Sequence, residues 1–226
     1  SASALLQAIV DLGYKTRIFN ACSSECFGST TITNPFNENS PFSPISPYAI
    51  AKYSALLLFQ HFRNNNNIFI SNGILFNHES PLRPSHFVSQ KIVSAAKNIY
   101  DGKIDHIELG NLNVVRDWGW SPEYVIAMNK LLQYNEPVDV IISTGRSYSL
   151  YAFARAIFDE FSLNLDSHLK VNPSFVRTSD LDSSYSSPNL IYDLFGWKAT
   201  AFVPEISKKL VYASLHPDSL SDPFSL

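Results

Sequence analysis

Glycine is scarce in this sequence: eight residues in 226, at positions 13, 28, 73, 102, 110, 119, 145 and 196. No two stand close enough to form a loop that cradles a phosphate with backbone N–H groups, which excludes a glycine-rich nucleotide turn within these residues. Cysteine is scarcer still. Cys22 and Cys26 lie four apart, with no further Cys or His at ligand spacing. That excludes a disulfide-built fold and a metal site, and leaves two reduced thiols, as expected of a cytoplasmic protein. Charge of one sign is also lacking. Seventeen basic and twenty acidic residues give a net charge of −3, so there is no electrostatic case for nucleic acid or an anionic membrane as partner. No run of about 20 apolar residues occurs, so no transmembrane helix is predicted. The first 19 residues show no basic end leading into an apolar core and are not read as a signal peptide. What is plentiful is aromatic: 16 Phe and 11 Tyr in a chain that is 45% hydrophobic, enough to fill the core of one large domain or two small ones.

Hydrophobic periodicity predicts alternating helices and strands. Residues 3–12 read as a helix with Leu5, Leu6, Ile9 and Val10 on one face, stopped by Gly13. Residues 16–22 and 68–76 read as strands, as do 106–110 and 138–143. The proline-rich stretch 28–45 reads as a loop. Ser46-Pro47 predicts a helix start, Ser as N-cap and Pro at the first helical position, running to the Asn64–Asn67 turn. Further helices are expected over Phe87–Tyr100, from a second Ser-Pro at Ser121-Pro122 to about Leu132, and from Ser149 onward. The polar stretch 178–187 precedes two short helices, one ending near Gly196 and one beginning near Pro204. This alternation argues for a parallel α/β sheet.

Tyr48 and Lys52 form Y-x-x-x-K near a helix start, and the i,i+4 spacing puts both side chains on one face. A nearby ammonium favours the phenolate, so a lowered Tyr48 pKa and a general-base role are expected. An ordinary surface pair fits the same spacing. Upstream, a strand ends in Ser23-Ser24-Glu25, and ligands in open parallel sheets sit at the carboxyl ends of strands. Ser23, Glu25, Tyr48 and Lys52 would therefore share a crevice, although turn capping also explains the serines and solvation the glutamate. Asn77-His78-Glu79-Ser80 follows another strand and reads as a polar binding loop. Arg83, Lys91, Arg116 and Arg177 are cations suited to phosphate. The triplet Arg116-Asp117-Trp118 equally fits a local ion pair beside a packed indole.

Five segments together resemble the extended short-chain dehydrogenase/reductases and, within them, the GDP-mannose 4,6-dehydratase family: ACSSECFG (21–28), SPYAIAK (46–52), NGILFNHESPLR (72–83), GNLNVVRDWG (110–119) and LFGWK (194–198). The third is the most specific. The resemblance implies the C-terminal part of a doubly wound, Rossmann-like parallel sheet plus a smaller α/β substrate-binding domain. Residues 1–80 would be the remainder of the NADP-binding unit. Residues 81–226 would be mainly the nucleotide-sugar unit, with about 117–145 returning to the first. It implies Tyr48 as the base at the sugar 4-hydroxyl, with Lys52 on the nicotinamide ribose. Ser23 (threonine in the family) would bond the same hydroxyl, and Glu25 would be the acid/base at C5 and C6. His78 and Arg83 would contact the NADP cofactor. Asn77, Val88, Lys91, Gly110, Asn111, Arg116, Arg177 and Asp180 (glutamate in the family) would hold GDP-mannose.

The family's opening strand, glycine-rich turn and helix have no counterpart in these residues, so a truncated form is implied, silent on its own. The family's homodimer or homotetramer is implied too. Leu82 and Pro84, however, replace an arginine and a glycine in the loop that reaches the neighbouring subunit. Rival readings are another nucleotide-sugar dehydratase or epimerase, or an inactive remnant. The dTDP-glucose dehydratases typically carry Asp where this chain has Ser24, and epimerases usually lack an acid at the position of Glu25.

Overall fold

The computed structural model describes residues 2–175 and 181–218. Helix α1 (Ala2–Asp11) buries Leu6 against Phe59 and Ile70, and Ile9 is buried on the same helix, while Leu5 points outward at 57% exposure. Strand β1 (Arg17–Ser23) passes into a 3-10 turn (Ser24–Phe27). Helix α2 (Pro47–Asn66) begins as its sequence dictates: the Ser46 hydroxyl accepts the Ala49 N–H at 3.1 Å, with Pro47 in the first turn. It ends at Asn67, whose φ of 52° is left-handed.

Strand β2 (Phe69–Leu75) pairs in parallel with β1 from Arg17–Phe69 to Ser23–Leu75. Gly73 lets the Phe19 ring pack on the strand: a Cβ would meet that ring at 2.4 Å and force it to shift. Strands β3 (Asn77–Glu79), β4 (Ile107–Leu109) and β5 (Val115–Trp120) follow, with helix α3 (Val88–Tyr100) between β3 and β4. Helix α4 (Ser121–Gln133) starts one residue earlier than the second Ser-Pro predicts. Trp120 is its N-cap and no side chain caps it, so Ser121 lies inside the helix.

Strand β6 (Asp139–Ile142) returns to β2, giving a parallel sheet ordered β1-β2-β6. Strand β7 (Ser147–Ser149) runs antiparallel to β5, in a second sheet ordered β3-β5-β7, a departure from the all-parallel expectation. Helix α5 (Leu150–Glu160), capped by Ser149, precedes a short helix α6 (Leu165–His168) and strand β8 (Leu169–Val171), which pairs with β4. Helices α7 (Asn189–Phe195) and α8 (Val203–Leu215) close the described chain. The latter runs 13 residues rather than being short, because Val203, Ile206, Leu210 and Val211 bury one face against α5 and β5.

The first sheet is tied through its polar residues. The Asn20 amide donates to Asn72 Oδ1 at 2.8 Å, and the Asn72 amide donates to Asp139 Oδ1 at 2.6 Å. From α2, Arg63 grips Asp139 with two bonds of 2.6 and 3.0 Å, and Gln60 donates a third at 2.8 Å. Burial alone would raise the Asp139 pKa, but these donors outweigh it and hold the carboxyl below its usual range. Among the described residues no helix is long and apolar enough to cross a membrane.

Candidate active site

A cleft of about 700 Å³ opens where β1 and β2 end. Ser23, the last residue of β1, caps the 3-10 turn by accepting the Glu25 N–H at 3.3 Å. That turn carries Glu25, exposed on the cleft wall. The first turns of α2 bring Tyr48 and Lys52 to the same wall. Asn77, His78 and Arg83 line it from the other side. The seven residues meet in one cleft; the sequence pattern predicts this for Ser23, Glu25, Tyr48 and Lys52, and Asn77, His78 and Arg83 join them.

The Tyr48 phenol departs from expectation. Its pKa is raised, not lowered. Partial burial is the largest cause. A hydrogen bond from Ser23 pulls the other way, and the Glu25 charge adds to the rise. The Lys52 ammonium sits 5.8 Å from the Tyr48 ring centre and donates instead to the Ala21 carbonyl at 3.0 Å. Spacing placed the amine beside the ring, but it could not show which acceptor the amine takes.

The His78 imidazole is pushed toward its neutral form by burial first, and by the Arg83 charge. Its Nδ1–H donates to the Phe76 carbonyl at 2.9 Å, which fixes the tautomer, and its ring lies 4.8 Å from that of Tyr124. Tyr124 reaches this place only because Gly119 has no side chain: a Cβ there would stand 2.2 Å from the tyrosine ring. The polar stretch 77–80 is not simply a loop. Asn77–Glu79 forms β3, and Glu79 points inward at 1% exposure, held by the Ser89 hydroxyl and by Arg83 at 3.4 Å. Arg83 also donates to the His78 carbonyl at 2.6 Å and stacks over Phe87 at 4.0 Å.

The other expected residues do not line this cleft. Lys91 donates to the Glu108 carbonyl at 2.7 Å and lies 4.4 Å above the Phe175 ring. Gly110 packs so closely on Phe175 that a Cβ would meet its backbone at 2.9 Å. Lys91 and Gly110 thus share a second cluster around Phe175, joined by Asn172, which donates to the Glu108 carboxylate at 2.7 Å. Asn111 accepts from the Asn113 N–H at 3.0 Å, Val88 is 38% exposed, and Arg116 donates to the Val115 carbonyl at 2.9 Å. Arg177 and Asp180 lie outside the described residues.

Three features escape sequence reasoning. Leu82, Phe87 and Ser121 also line the cleft. Glu79 is a buried carboxylate. Asp117 is another, fully buried, and not the local ion pair that the Arg116-Asp117-Trp118 triplet suggests. It accepts from Thr144 N–H and hydroxyl at 3.0 and 2.8 Å, Gly145 N–H at 2.8 Å and the Ser186 hydroxyl at 2.9 Å. Burial pushes its pKa up to about 6 against these neutral donors. Trp118 does pack as an indole, 4.9 Å from the Phe153 ring.

The fold is that of the Rossmann-type nucleotide-sugar dehydratases and epimerases. It superposes with a TM-score of 0.85 on the NADPH complex of RMD from Pseudomonas aeruginosa, at 19% identity over 93% of this chain and 70% of that one. The score is 0.84 with the NAD complex of dTDP-glucose 4,6-dehydratase from Bacillus anthracis, at 15% identity over 96% and 67%. A sequence profile of the GDP-mannose 4,6 dehydratase family matches residues 1–210, and the chain belongs to that family. It is 36% identical to GDP-mannose 4,6 dehydratase 2 of Caenorhabditis elegans over 89% of this chain and 56% of that protein. It is 34% identical to GDP-mannose 4,6 dehydratase 1 of Arabidopsis thaliana over 92% and 58%. The chain therefore spans less than two thirds of the length of these curated relatives.

Proposed function

We propose that these residues form the catalytic half of an NADP-dependent GDP-mannose 4,6-dehydratase, a hydro-lyase yielding GDP-4-keto-6-deoxymannose and water. The observation that carries this is the meeting of Ser23, Glu25, Tyr48 and Lys52 in one cleft at the strand ends. An epimerase needs the phenol and the amine but not the carboxylate beside them.

The cleft suits the nicotinamide-ribose end of the cofactor. Leu75, Phe76 and Leu82 offer apolar wall, and Tyr48, Lys52, Asn77 and His78 offer polar partners. No glycine lines it, so the pyrophosphate is assigned no partner here. A nicotinamide held there would supply the hydride chemistry, oxidation at C4 of the sugar and reduction at C6. Tyr48 accepts the 4-hydroxyl proton, with Ser23 orienting that hydroxyl. Lys52, 5.8 Å from the Tyr48 ring, is assigned to the nicotinamide ribose and to tuning the phenol. Once C4 is a ketone, the C5 proton is acidic enough for Glu25 to remove. Glu25 then gives a proton to the departing 6-hydroxyl, which leaves as water.

His78 and Arg83 are assigned to the cofactor. Asn77, Val88, Lys91, Gly110, Asn111, Arg116, Arg177 and Asp180 are assigned to the nucleotide sugar. The return of β6 to the first sheet supports a cofactor unit of residues 1–80 joined by about 117–145, with the rest of 81–226 on the sugar side. Two buried, reduced thiols support a cytoplasmic location. The homodimer or homotetramer of the family is proposed with the rest. Turnover belongs to the complete protein. For the 226 residues alone no turnover is expected, since they hold no phosphate-cradling turn. The test is to incubate the complete protein with GDP-mannose and identify the product by NMR. A 4-keto-6-deoxy sugar is expected, and accumulation of a C4 epimer instead would overturn the assignment.

A further inference from the structure

The two cysteines of the chain flank the cleft-lining turn from either side. Cys22 is the penultimate residue of β1 and Cys26 lies within the 3-10 turn, so Ser23, Ser24 and Glu25 are all the residues between them. Their sulfurs stand 3.8 Å apart, in contact, with no bond between them. Each thiol also reaches α2. Cys22 Sγ lies 3.9 Å from the Lys52 carbonyl, and Cys26 Sγ 3.4 Å from the Ala49 carbonyl. The pair therefore joins the turn that carries Glu25 to the helical turn that carries Tyr48 and Lys52. Cys26 is wholly buried, but Cys22, although only 3% exposed, lines the cleft and is reached from it.

The usual reading of a buried cysteine is a small apolar side chain chosen for packing. Two sulfurs already in contact at 3.8 Å are placed for more than packing, since a disulfide brings them to about 2.05 Å. From this geometry we infer that Cys22 and Cys26 are a reversible oxidation site, closing to an intramolecular disulfide around Ser23–Glu25 on exposure to a hydroperoxide. In the first step Cys22 gives up its proton, its thiolate sulfur attacks a peroxide oxygen, the O–O bond breaks, and sulfenic acid and water form. In the second the Cys26 thiol attacks that sulfur, the S–O bond breaks, and a second water leaves. Two thiols lose two protons and two electrons in total, and peroxide is reduced to two waters. Both S–H donors to α2 are consumed, so the oxidised turn loses its ties to the Lys52 and Ala49 carbonyls. Dithiol reductants reverse the step.

The chain holds no other cysteine, which makes the test a count. The folded 226-residue chain is treated with hydrogen peroxide, quenched, denatured, alkylated and weighed. The expected result is that both thiols become unavailable together, with no oxygen added, in a species that stays monomeric without reductant. Dithiothreitol should then restore both. In Cys26→Ser the same treatment should leave Cys22 as a sulfenic acid that a dimedone probe captures. Hydrogen exchange in peptides covering residues 20–28 and 46–56 should quicken in the oxidised wild type. If both thiols stay alkylatable after peroxide, are lost only with added oxygen, or are lost only in cross-linked dimers, the inference is overturned. Unchanged exchange in a chain that does close the bond would overturn the coupling to α2. The wild-type count decides the main point even if the variant fails to fold.

Discussion

The two ends of α2 put similar chemistry to opposite uses. Near its C-terminal end Gln60 and Arg63 reach across to Asp139, and every strong group there has a partner of opposite charge or a matched hydrogen bond. At its N-terminal end Tyr48 and Lys52 face a cleft shared with Glu25, and the phenol is 53% exposed. The Lys52 amine holds a neutral carbonyl, not the carboxylate. The first arrangement has nothing left to offer a ligand. The second keeps a phenol, an amine and a carboxylate within one opening, which is what proton transfer to a bound sugar requires. A fully neutralised cluster ties the sheet here, and the open one is where the proposed chemistry would run.

The largest expected effect breaks the open end. Tyr48→Phe in the complete protein should slow sugar oxidation by about 10²–10⁴ while leaving GDP-mannose affinity nearly unchanged. The half-exposed ring packs the same way, so stability should move by less than about 0.5 kcal/mol. Single-turnover absorbance of the reduced cofactor measures the first, and a loss under tenfold would remove Tyr48 from the base role. The mirror experiment breaks the closed end. Asp139→Ala strands the Arg63 guanidinium and the Asn72 amide, and should cost about 3 kcal/mol of stability in urea titration. A cost below about 1 kcal/mol would mean the network is not what ties the first sheet together.

Asp117 sharpens the comparison, because it is as closed as Asp139 but lacks a guanidinium. Its folded pKa lies near 6, above the ordinary 3.8. A raised carboxyl pKa means that the folded state binds more protons than the unfolded state between those values. Its contribution is therefore present in full below about pH 4 and lost as pH rises through 6, by on the order of 2–3 kcal/mol. Asp139, with its lowered pKa, contributes the opposite way and loses its contribution as pH falls through its depressed value. Stability measured from pH 4 to 7 should thus decline in the wild type and flatten in Asp117→Asn. An unchanged slope in the variant would show that four neutral donors neutralise a buried carboxylate as well as an arginine does.

Much of this was legible beforehand, for identifiable reasons. Ser46-Pro47 announced α2 because cap and first-turn preferences are local, and the apolar runs around 18, 70 and 140 announced the first sheet because central parallel strands are buried on both faces. Three-residue strands such as β7 and β8 carry too few residues for a period, and their pairing is decided by partners elsewhere. Helix α8 was expected but too short, since its length is set by the face it buries against α5. In the cleft, the i,i+4 rule placed Tyr48 beside Lys52. It could not give the direction of the phenol shift, because burial and the choice of Ala21 as amine acceptor are tertiary facts. Glu79 read as part of a binding loop and Asp117 as a local ion pair for the same reason: their donors Ser89, Thr144, Gly145 and Ser186 come from other segments.

Dehydration in this cleft requires Glu25 to be an acid/base and not a solvated charge, and one measurement tests that most directly. In the complete protein, Glu25→Gln keeps the shape of the side chain and removes its proton acceptor. With GDP-mannose in deuterated solvent, the wild type should exchange the C5 proton and form product. The variant should still oxidise C4, giving a burst of reduced-cofactor absorbance, and then stall with C5 unexchanged. Normal C5 exchange and product formation in the variant would contradict the role assigned to Glu25, and with it the dehydratase reading of the cleft.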